Sequence, residues 1–220
     1  QTRIVGVIGD PVQHSRSPQM HNAAIVERKL DYVYVPFHVR SGELREAIEG
    51  FKALNVLGVN VTIPHKQTVM PILDDVSHEA TLIGAANTLI FCDGRVSGDN
   101  TDAQGFLRAM TEEGIDIPVG GSAVVLGAGG AARAVVVALA LSGLGLITVA
   151  NRTGWKAIQF EKDLATISET EISAVDLASN QLNSAIRSAD LLVNTTSVGM
   201  QETDQLLIDP DSLNPGTIVY

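Results

Sequence analysis

The sequence predicts an α/β protein made of two successive domains, the first of them with a mainly parallel sheet. Apolar, β-branched runs alternate with amphipathic or alanine-rich runs along most of the chain, which is the pattern of strands connected by helices. The alternation is interrupted once, at residues 115–121, by a proline and a pair of glycines. A chain of 220 residues is long enough for two cores. We therefore expect a first domain at 1–101, a connecting helix and linker at 102–121, and a second domain at 122–220.

In the first domain we expect strands at 3–8, 32–39 and 58–63, and a hairpin of strands at 88–91 and 95–97 that turns at Asp93 and Gly94. Ser17 is expected to cap a helix that begins at Pro18 and ends near Lys29. Ser41 is expected to cap a second helix, whose apolar face carries Leu44, Ala47, Ile48, Phe51 and Leu54. The acid-rich stretch before residue 88 is expected to be a loop.

In the second part of the chain we expect helices at 103–113, from about 130 to 141, and at 155–164. Strands are expected at 123–126, 146–150, 172–174 and 191–193. A further strand begins at 217–220, where the sequence stops without the helix that should follow. We therefore expect the chain to be incomplete at its C-terminal end.

Composition excludes several classes of function. A formal net charge of −10 makes a nucleic-acid partner unexpected. Residues 122–150 carry the single charge of Arg133, but glycines interrupt this stretch, so we expect no membrane span. Cys92 is the only cysteine, which rules out an internal disulfide and a cysteine-based metal site. We expect a cytoplasmic protein without a metal; the oligomeric state is left open.

A glycine-rich turn connects strand and helix at the start of the second domain. The apolar run 123–126 is followed by Gly127, Ala128, Gly129, Gly130 and Ala131. Gly127 permits a tight turn, and Gly129 lets the backbone approach a pyrophosphate, which the N-terminus of the next helix would favour. The alternative is a tight connection without a ligand. The surrounding strand and helix pattern favours a Rossmann-type dinucleotide-binding unit.

The end of the next strand indicates which dinucleotide is bound. NAD-binding units place an acidic residue there for the ribose 2′-hydroxyl. This chain has Asn151, Arg152 and Thr153 instead, with Lys156 close behind. A guanidinium suits a 2′-phosphate, and a cation at a helix N-terminus needs an anion to offset the helix dipole. We expect NADP, against the alternative of a solvated arginine.

Lys66 and Asp102 are the candidates for proton transfer. None of the five histidines has an evident carboxylate partner by spacing; they are His14, His21, His38, His65 and His78. Lys66 follows the third strand and Asp102 follows a polar turn, positions where α/β sheets bind ligands. Both could instead be structural, Lys66 as a solvated charge and Asp102 as a helix cap. Four neutral side chains at strand or turn ends could bind a polyhydroxylated ligand: Ser15, Ser17, Thr62 and Asn87.

At these residues the sequence resembles the shikimate dehydrogenase family. The matching stretches run in the family's order along the whole chain: 9–12 with 14–22, 60–66, 84–88, 98–102, 127–131, 151–153 and 194–200. The resemblance implies reversible, NADP-linked reduction of 3-dehydroshikimate to shikimate in aromatic amino-acid biosynthesis. Ala103 departs from the glycine that the family often has at that position.

The resemblance also implies a role for each matching residue. Lys66 and Asp102 would be the catalytic pair, and Ser15, Ser17, Thr62 and Asn87 would bind the substrate. Residues 127–131 would hold the pyrophosphate, Asn151, Arg152, Thr153 and Lys156 would bind the 2′-phosphate end, and Thr195, Ser197 and Met200 would line the nicotinamide side. Three alternatives remain: a quinate/shikimate dehydrogenase of dual specificity, a non-catalytic relative that senses the same ligands, and a bare NADP-binding module, which would leave the first domain unexplained.

Overall fold

A computed structural model describes residues 2–164, 167–199 and 203–220. It divides into two compact units, Gln1–Thr101 and Asp102–Tyr220. The first unit contains the strands β1 (Arg3–Gly9), β2 (Tyr32–His38), β3 (Gly58–Val61), β4 (Asp75–Val76), β5 (Thr88–Cys92) and β6 (Arg95–Asp99). Its helices are α1 (Ser17–Glu27), α2 (Leu44–Ala53), α3 (His65–Thr68) and α4 (His78–Ile83), with a 3-10 turn at Met70–Ile72.

These six strands form one mixed sheet in the order β2-β1-β3-β5-β6-β4. The pairs β1–β2, β1–β3 and β4–β6 are parallel, whereas β5 runs antiparallel to β3 and β6. Thr88 at the start of β5 therefore lies opposite Asn60 of β3 and Asp99 of β6. It follows that the carboxyl ends of β1, β2, β3 and β6 share one edge of the sheet with the start of β5.

The core of the first unit lies between the sheet and α2. Ile8, Val59 and Leu89 from the strands pack with Ile48 and Phe51 of α2, all of them buried. The predicted apolar face of this helix is confirmed except at Leu54, which follows its last turn and is 71% exposed.

Both predicted serine caps are wrong. Ser17 is the first residue of α1, and Arg16 takes the N-cap position without a side-chain hydrogen bond. Ser41 lies before α2, where its backbone N–H and hydroxyl donate to Asp10 Oδ2 at 3.0 and 3.4 Å. Glu43 is the N-cap residue of that helix, because Ser41 is engaged by the neighbouring loop.

The acid-rich stretch is not a simple loop, because it contains α3, the 3-10 turn, β4 and α4. These elements have at most six residues each, too short for a hydrophobic period to reveal them. The third strand also ends at Val61 rather than at residue 63. The predicted hairpin at β5 and β6 is confirmed, with Asp93 and Gly94 both at positive φ in the turn.

The second unit contains the helices α5 (Asp102–Glu112), α6 (Gly130–Leu141), α7 (Gly154–Leu164) and α8 (Asn180–Ser188), of which α8 was not predicted. Its strands are β7 (Ser122–Leu126), β8 (Leu146–Asn151), β9 (Glu171–Asp176), β10 (Leu191–Asn194) and β11 (Ile218–Val219). None of the described helices combines the length and apolar character needed to cross a bilayer.

The strands of the second unit form a parallel sheet in the order β11-β10-β7-β8-β9. The chain proceeds outward from β7 to β9 and then returns to the other side of β7 with β10. The strand order therefore reverses between β7 and β10. In open α/β sheets, ligands bind at the carboxyl ends of the strands at such a point.

Candidate active site

The structure brings five of the predicted residues to one edge of the first sheet. Ser15 lies in the loop after β1, Ser17 begins α1, and Thr62 directly follows β3. Lys66 is the second residue of α3, and Asn87 directly precedes β5. This is the edge at which the parallel strands end, so the side chains come from separate stretches of sequence to a common place.

Close backbone packing fixes Thr62 beside the end of β1. The N–H of Thr62 donates to the carbonyl of Ile8 at 2.9 Å. A Cβ on Gly9 would lie 2.6 Å from Thr62 Cγ2, closer than side chains approach one another. Gly9 is thus required for the two strand ends to meet at this position.

Lys66 is anchored through its backbone and through its neighbour. The N–H of Ala86 donates to the carbonyl of Lys66 at 2.8 Å, which ties α3 to the segment before β5. The adjacent His65 is buried, and its Nε2 donates to the carbonyl of Val39 at 2.7 Å. The short helix is therefore held on two sides, and the Lys66 side chain is half-buried.

Asn87 organises the turn that ends the first unit. Its Oδ1 accepts the backbone N–H of Thr101 at 3.0 Å, and its Nδ2 donates to Thr101 Oγ1 at 3.0 Å. Next to Thr101, the buried Asn100 donates from Nδ2 to the carbonyl of Ala85 at 2.8 Å. Asp102, the other predicted catalytic residue, follows Thr101 directly and is the first residue of α5.

A buried tyrosine that the sequence analysis missed connects Ser17 to this region. The Tyr34 hydroxyl donates to Asn60 Oδ1 at 2.7 Å, and Asn60 Nδ2 donates to Thr88 Oγ1 at 3.3 Å. Thr88 Oγ1 in turn donates to Asn87 Oδ1 at 2.9 Å. Burial raises the pKa of Tyr34 to about 12, although a hydrogen bond with Ser17 opposes that rise. Tyr34 falls within a strand pattern, so its sequence carried no signal of this role.

One histidine does have a carboxylate partner, contrary to the expectation from spacing. His38 Nε2 lies 2.8 Å from Asp10 Oδ1. His38 is the last residue of β2, and Asp10 directly follows β1. Parallel pairing of the two strands brings their ends side by side. Hydrogen bonds from His38 and from the Ser41 backbone lower the pKa of Asp10. The pair lies beside the loop that carries Ser15.

In the second unit, the glycine-rich turn has the geometry of an anion site. Gly127 has φ +112°, and a Cβ there would lie 2.6 Å from Thr195 Oγ1. Gly129 is the N-cap of α6 with extended backbone, no side chain caps the helix, and its first turn has no acidic residue. A Cβ on Gly129 would meet nothing within 4 Å. The helix therefore begins at Gly130 without a side-chain cap, and there is open space on the Cβ side of Gly129.

Thr195 lies against this turn, across the point where the strand order reverses. Its N–H and its hydroxyl both donate to the carbonyl of Leu126, at 2.9 and 2.6 Å. The following loop is shaped by Asn194, which accepts the Thr196 N–H at 3.0 Å and donates to the carbonyl of Val198 at 2.9 Å. Ser197 is exposed in the same loop. Met200 lies outside the described residues.

The predicted 2′-phosphate residues lie at the end of β8 and the start of α7. Asn151 Nδ2 donates to the carbonyl of Thr153 at 3.1 Å, which closes the connection between them. Arg152 is exposed and has no ion-pair partner within the described residues. Lys156 is exposed on the first turn of α7. On the neighbouring strand β9, Asp176 pairs in register with Asn151, and its Oδ1 accepts the Ala178 N–H at 2.8 Å.

These features fit a phosphorylated dinucleotide. The uncapped helix N-terminus and the open side of Gly129 leave room and donors for a pyrophosphate. An amide and a cation take the position where an NAD site has a carboxylate. Among the described residues, no group of three or more His, Cys, Asp or Glu side chains could hold a metal ion.

Comparison with known proteins matches each of the two units to a family model of shikimate dehydrogenases. Residues 7–89 match the family model described as the shikimate dehydrogenase substrate binding domain, and residues 118–204 match the model of shikimate / quinate 5-dehydrogenase. A shikimate dehydrogenase (NADP(+)) of Desulforamulus reducens is 46% identical over 207 residues, which are 94% of this chain and 71% of the relative.

Solved structures agree in fold. The shikimate 5-dehydrogenase of Thermus thermophilus in complex with NADP(H) and shikimate has a TM-score of 0.83 at 36% identity, covering 96% of this chain and 75% of the other. The quinate dehydrogenase of Corynebacterium glutamicum in complex with NAD has a TM-score of 0.87 at 32% identity, covering 99% and 79%. The chain therefore belongs to the shikimate dehydrogenase family and carries a Rossmann-type domain after its substrate domain.

Proposed function

We propose that the protein is an NADP-dependent oxidoreductase that interconverts 3-dehydroshikimate and shikimate, a step of aromatic amino-acid biosynthesis. The observation that carries this proposal is the position of Asn87. It directly follows Ala86, which binds the Lys66 backbone, and its side chain binds Thr101, the neighbour of Asp102. One segment thus ties together the backbone near both proposed catalytic residues.

Lys66 and Asp102 are the proposed catalytic pair. NADPH, when bound, supplies the hydride for the substrate ketone. Lys66 then donates a proton to the alkoxide that forms, or remains charged and stabilises that oxygen by a hydrogen bond. Protonation of the alkoxide gives a hydroxyl, and Asp102 accepts a hydrogen bond from that hydroxyl. Lys66 and Asp102 would thus both orient the reacting oxygen.

The neutral residues at the sheet edge would bind the rest of the substrate. Hydroxyl and amide groups suit a ligand with several hydroxyls, because each can donate or accept a hydrogen bond. We assign this role to Ser15, Ser17, Thr62 and Asn87. Tyr34 and Asn60 would support two of these residues through hydrogen bonds: Tyr34 contacts Ser17, and Asn60 contacts Thr88, the neighbour of Asn87.

The cofactor would be held by the second unit. We assign the pyrophosphate to residues 127–131 and the 2′-phosphate end to Asn151, Arg152, Thr153 and Lys156. Thr195 and Ser197 would line the nicotinamide side, as would Met200, which lies outside the described residues. We further propose a cytoplasmic location and no nucleic-acid partner, supported by the single exposed Cys92 and the net charge of −10.

A quinate/shikimate dehydrogenase of dual specificity is a second candidate, favoured by the 32% identity to the quinate dehydrogenase of Corynebacterium glutamicum. Rates with shikimate and quinate, each with NADP and with NAD, separate the two. Comparable kcat/KM values for both acids would establish dual specificity, whereas a preference of about tenfold or more for shikimate would support the first proposal.

A non-catalytic sensing relative is disfavoured because both Lys66 and Asp102 are present. Binding of shikimate and NADP without turnover would reverse that conclusion.

A further inference from the structure

The only tryptophan of the chain is placed on the surface beside the proposed 2′-phosphate residues. Trp155 is the second residue of α7 and is 66% exposed. Large aromatic side chains are seldom left this open, because each exposes apolar area that burial would stabilise. Its neighbours in sequence, Arg152 and Lys156, are also exposed.

The Trp155 ring lies close to the ammonium of the next residue. Lys156 Nζ lies 5.8 Å from the centroid of the Trp155 ring, within the range of a cation–π interaction. The backbone of Lys156 is fixed as well, because its N–H donates to the carbonyl of Thr153 at 2.9 Å. The Lys156 ammonium therefore lies near the Trp155 ring, on a residue whose backbone is hydrogen-bonded at the start of α7.

Holding a cation at this point opposes the helix dipole, because the first turn of α7 carries partial positive charge. The first turn itself contains no acidic residue; the carboxylate of Asp176 on β9 is close by, since its Oδ2 would lie 3.4 Å from a Cβ on Gly154. An aromatic face partly offsets this cost, and an incoming phosphate would offset more of it.

We propose that Trp155 is a positioning residue for NADP selectivity: it holds the Lys156 ammonium in place for the 2′-phosphate. This inference rests on the proposed use of NADP. The ring itself need not touch the cofactor, since its effect passes through Lys156. Trp155 then contributes to the preference for NADP over NAD without contributing to binding of the parts that the two cofactors share.

The test measures binding of 2′,5′-ADP and of 5′-ADP by titration calorimetry at fixed ionic strength. Trp155→Leu should weaken 2′,5′-ADP binding about two- to fivefold, the size of an exposed cation–π contact, and leave 5′-ADP binding unchanged. Trp155→Phe, which keeps an aromatic face, should retain most of the affinity. In a background of Lys156→Gln, the further change Trp155→Leu should have no effect on either nucleotide.

Ile158→Ala is the matched control, since Ile158 is also an exposed apolar residue of α7, 50% exposed. It should leave both affinities unchanged, and melting curves show whether each variant is folded. Trp155 fluorescence gives a second readout, since no other tryptophan emits. Addition of 2′,5′-ADP should change the emission of the wild type more than that of Lys156→Gln.

Three results would overturn the inference. Equal loss for both nucleotides in Trp155→Leu would mean that the ring covers a shared part of the cofactor, such as adenine. No loss for either, with the wild type preferring 2′,5′-ADP, would remove Trp155 from selectivity while leaving the proposed function intact. A wild type that binds 5′-ADP as tightly as 2′,5′-ADP would overturn the NADP assignment itself, and the role of Trp155 with it.

Discussion

Asn87 Oδ1 accepts the backbone N–H of Thr101 at 3.0 Å, and the same amide donates back to Thr101 Oγ1 at 3.0 Å. This two-point contact connects the residue before β5 to the turn after β6, and Thr101 directly precedes Asp102 in the chain. The relationship makes Asn87 a structural support for one proposed catalytic residue as well as a proposed substrate contact.

Replacing Asn87 by aspartate should therefore lower the activity, although the two side chains are nearly equal in size. The variant keeps an acceptor for the Thr101 N–H but loses the amide donor to Thr101 Oγ1. We expect kcat/KM for shikimate to fall about 10- to 100-fold, the equivalent of roughly 1.4–2.8 kcal/mol. Thr101→Val, which removes only the hydroxyl, should cost less. Equal activity of Asn87→Asp and wild type would contradict the assignment.

Lys66→Ala and Asp102→Asn should each lower kcat by about 10²- to 10⁴-fold while shikimate still binds, because each removes a group that acts on the reacting oxygen. Gln67→Ala is the control, since Gln67 is exposed on the same short helix. Steady-state kinetics on the folded variants give the answer. A fall of less than about tenfold in kcat with an unchanged KM would show that Lys66 is not catalytic.

Tyr34→Phe should destabilise the first unit and weaken substrate binding together. The variant removes the donor to Asn60 Oδ1 and leaves a half-buried acceptor without it, at a cost of about 1 kcal/mol. We expect a lower melting temperature and a raised KM for shikimate, with kcat changed less than KM. Tyr32→Phe on the same strand is the matched control. A Tyr34→Phe protein with wild-type stability and KM would show that the connection has no energetic effect.

Two glycines of the turn after β7 should respond differently to alanine. Gly127→Ala should destabilise the fold by about 1–3 kcal/mol, because φ is +112° and the new Cβ would lie 2.6 Å from Thr195 Oγ1. Gly129→Ala meets no atom within 4 Å and should leave the melting temperature nearly unchanged. Its methyl group would nevertheless occupy the space assigned to the pyrophosphate, so NADP affinity should fall. Normal NADP affinity in Gly129→Ala would move the pyrophosphate elsewhere.

Asp10 should stabilise the fold in a pH-dependent way. Its pKa is lowered in the folded state, chiefly by the hydrogen bond with His38, from an ordinary value of 3.8. A carboxyl with a depressed folded pKa stabilises the protein above the unfolded value and loses that effect as pH falls through the folded value. Asp10→Asn should therefore lower the melting temperature at about pH 6 and have a smaller effect below about pH 3. A constant difference across this range would exclude the carboxylate as the cause.

The second sheet could be predicted more fully than the first, because long apolar runs carry a clear period. The strand at β7, the turn at Gly127 and the helix α6 follow from local sequence alone. In the first unit, α3, β4 and α4 escaped prediction because they are short and are fixed by contacts with distant strands, such as that between Ala86 and Lys66. Serine caps failed for the same reason, since Ser41 binds Asp10 of another loop.

The candidate site followed from motifs rather than from periodicity. Lys66, Asn87 and Thr62 could be placed at strand ends from the sequence, and register then explains why they share an edge. Tyr34 and Asn60 could not be found in this way, because their side chains meet only through the parallel pairing of β1 with β2 and with β3. The His38 contact with Asp10 has the same origin.

The initial rate of NADPH formation from shikimate and NADP, measured beside the same reaction with NAD, tests the central claim most directly. We expect rapid formation with NADP and a kcat/KM lower by about tenfold or more with NAD, because Asn151 and Arg152 stand where an NAD site has a carboxylate and Arg152 is proposed to bind the 2′-phosphate. Folded protein that binds NADP and shikimate but gives no NADPH would contradict the claim and leave a ligand-sensing role for Lys66 and its neighbours.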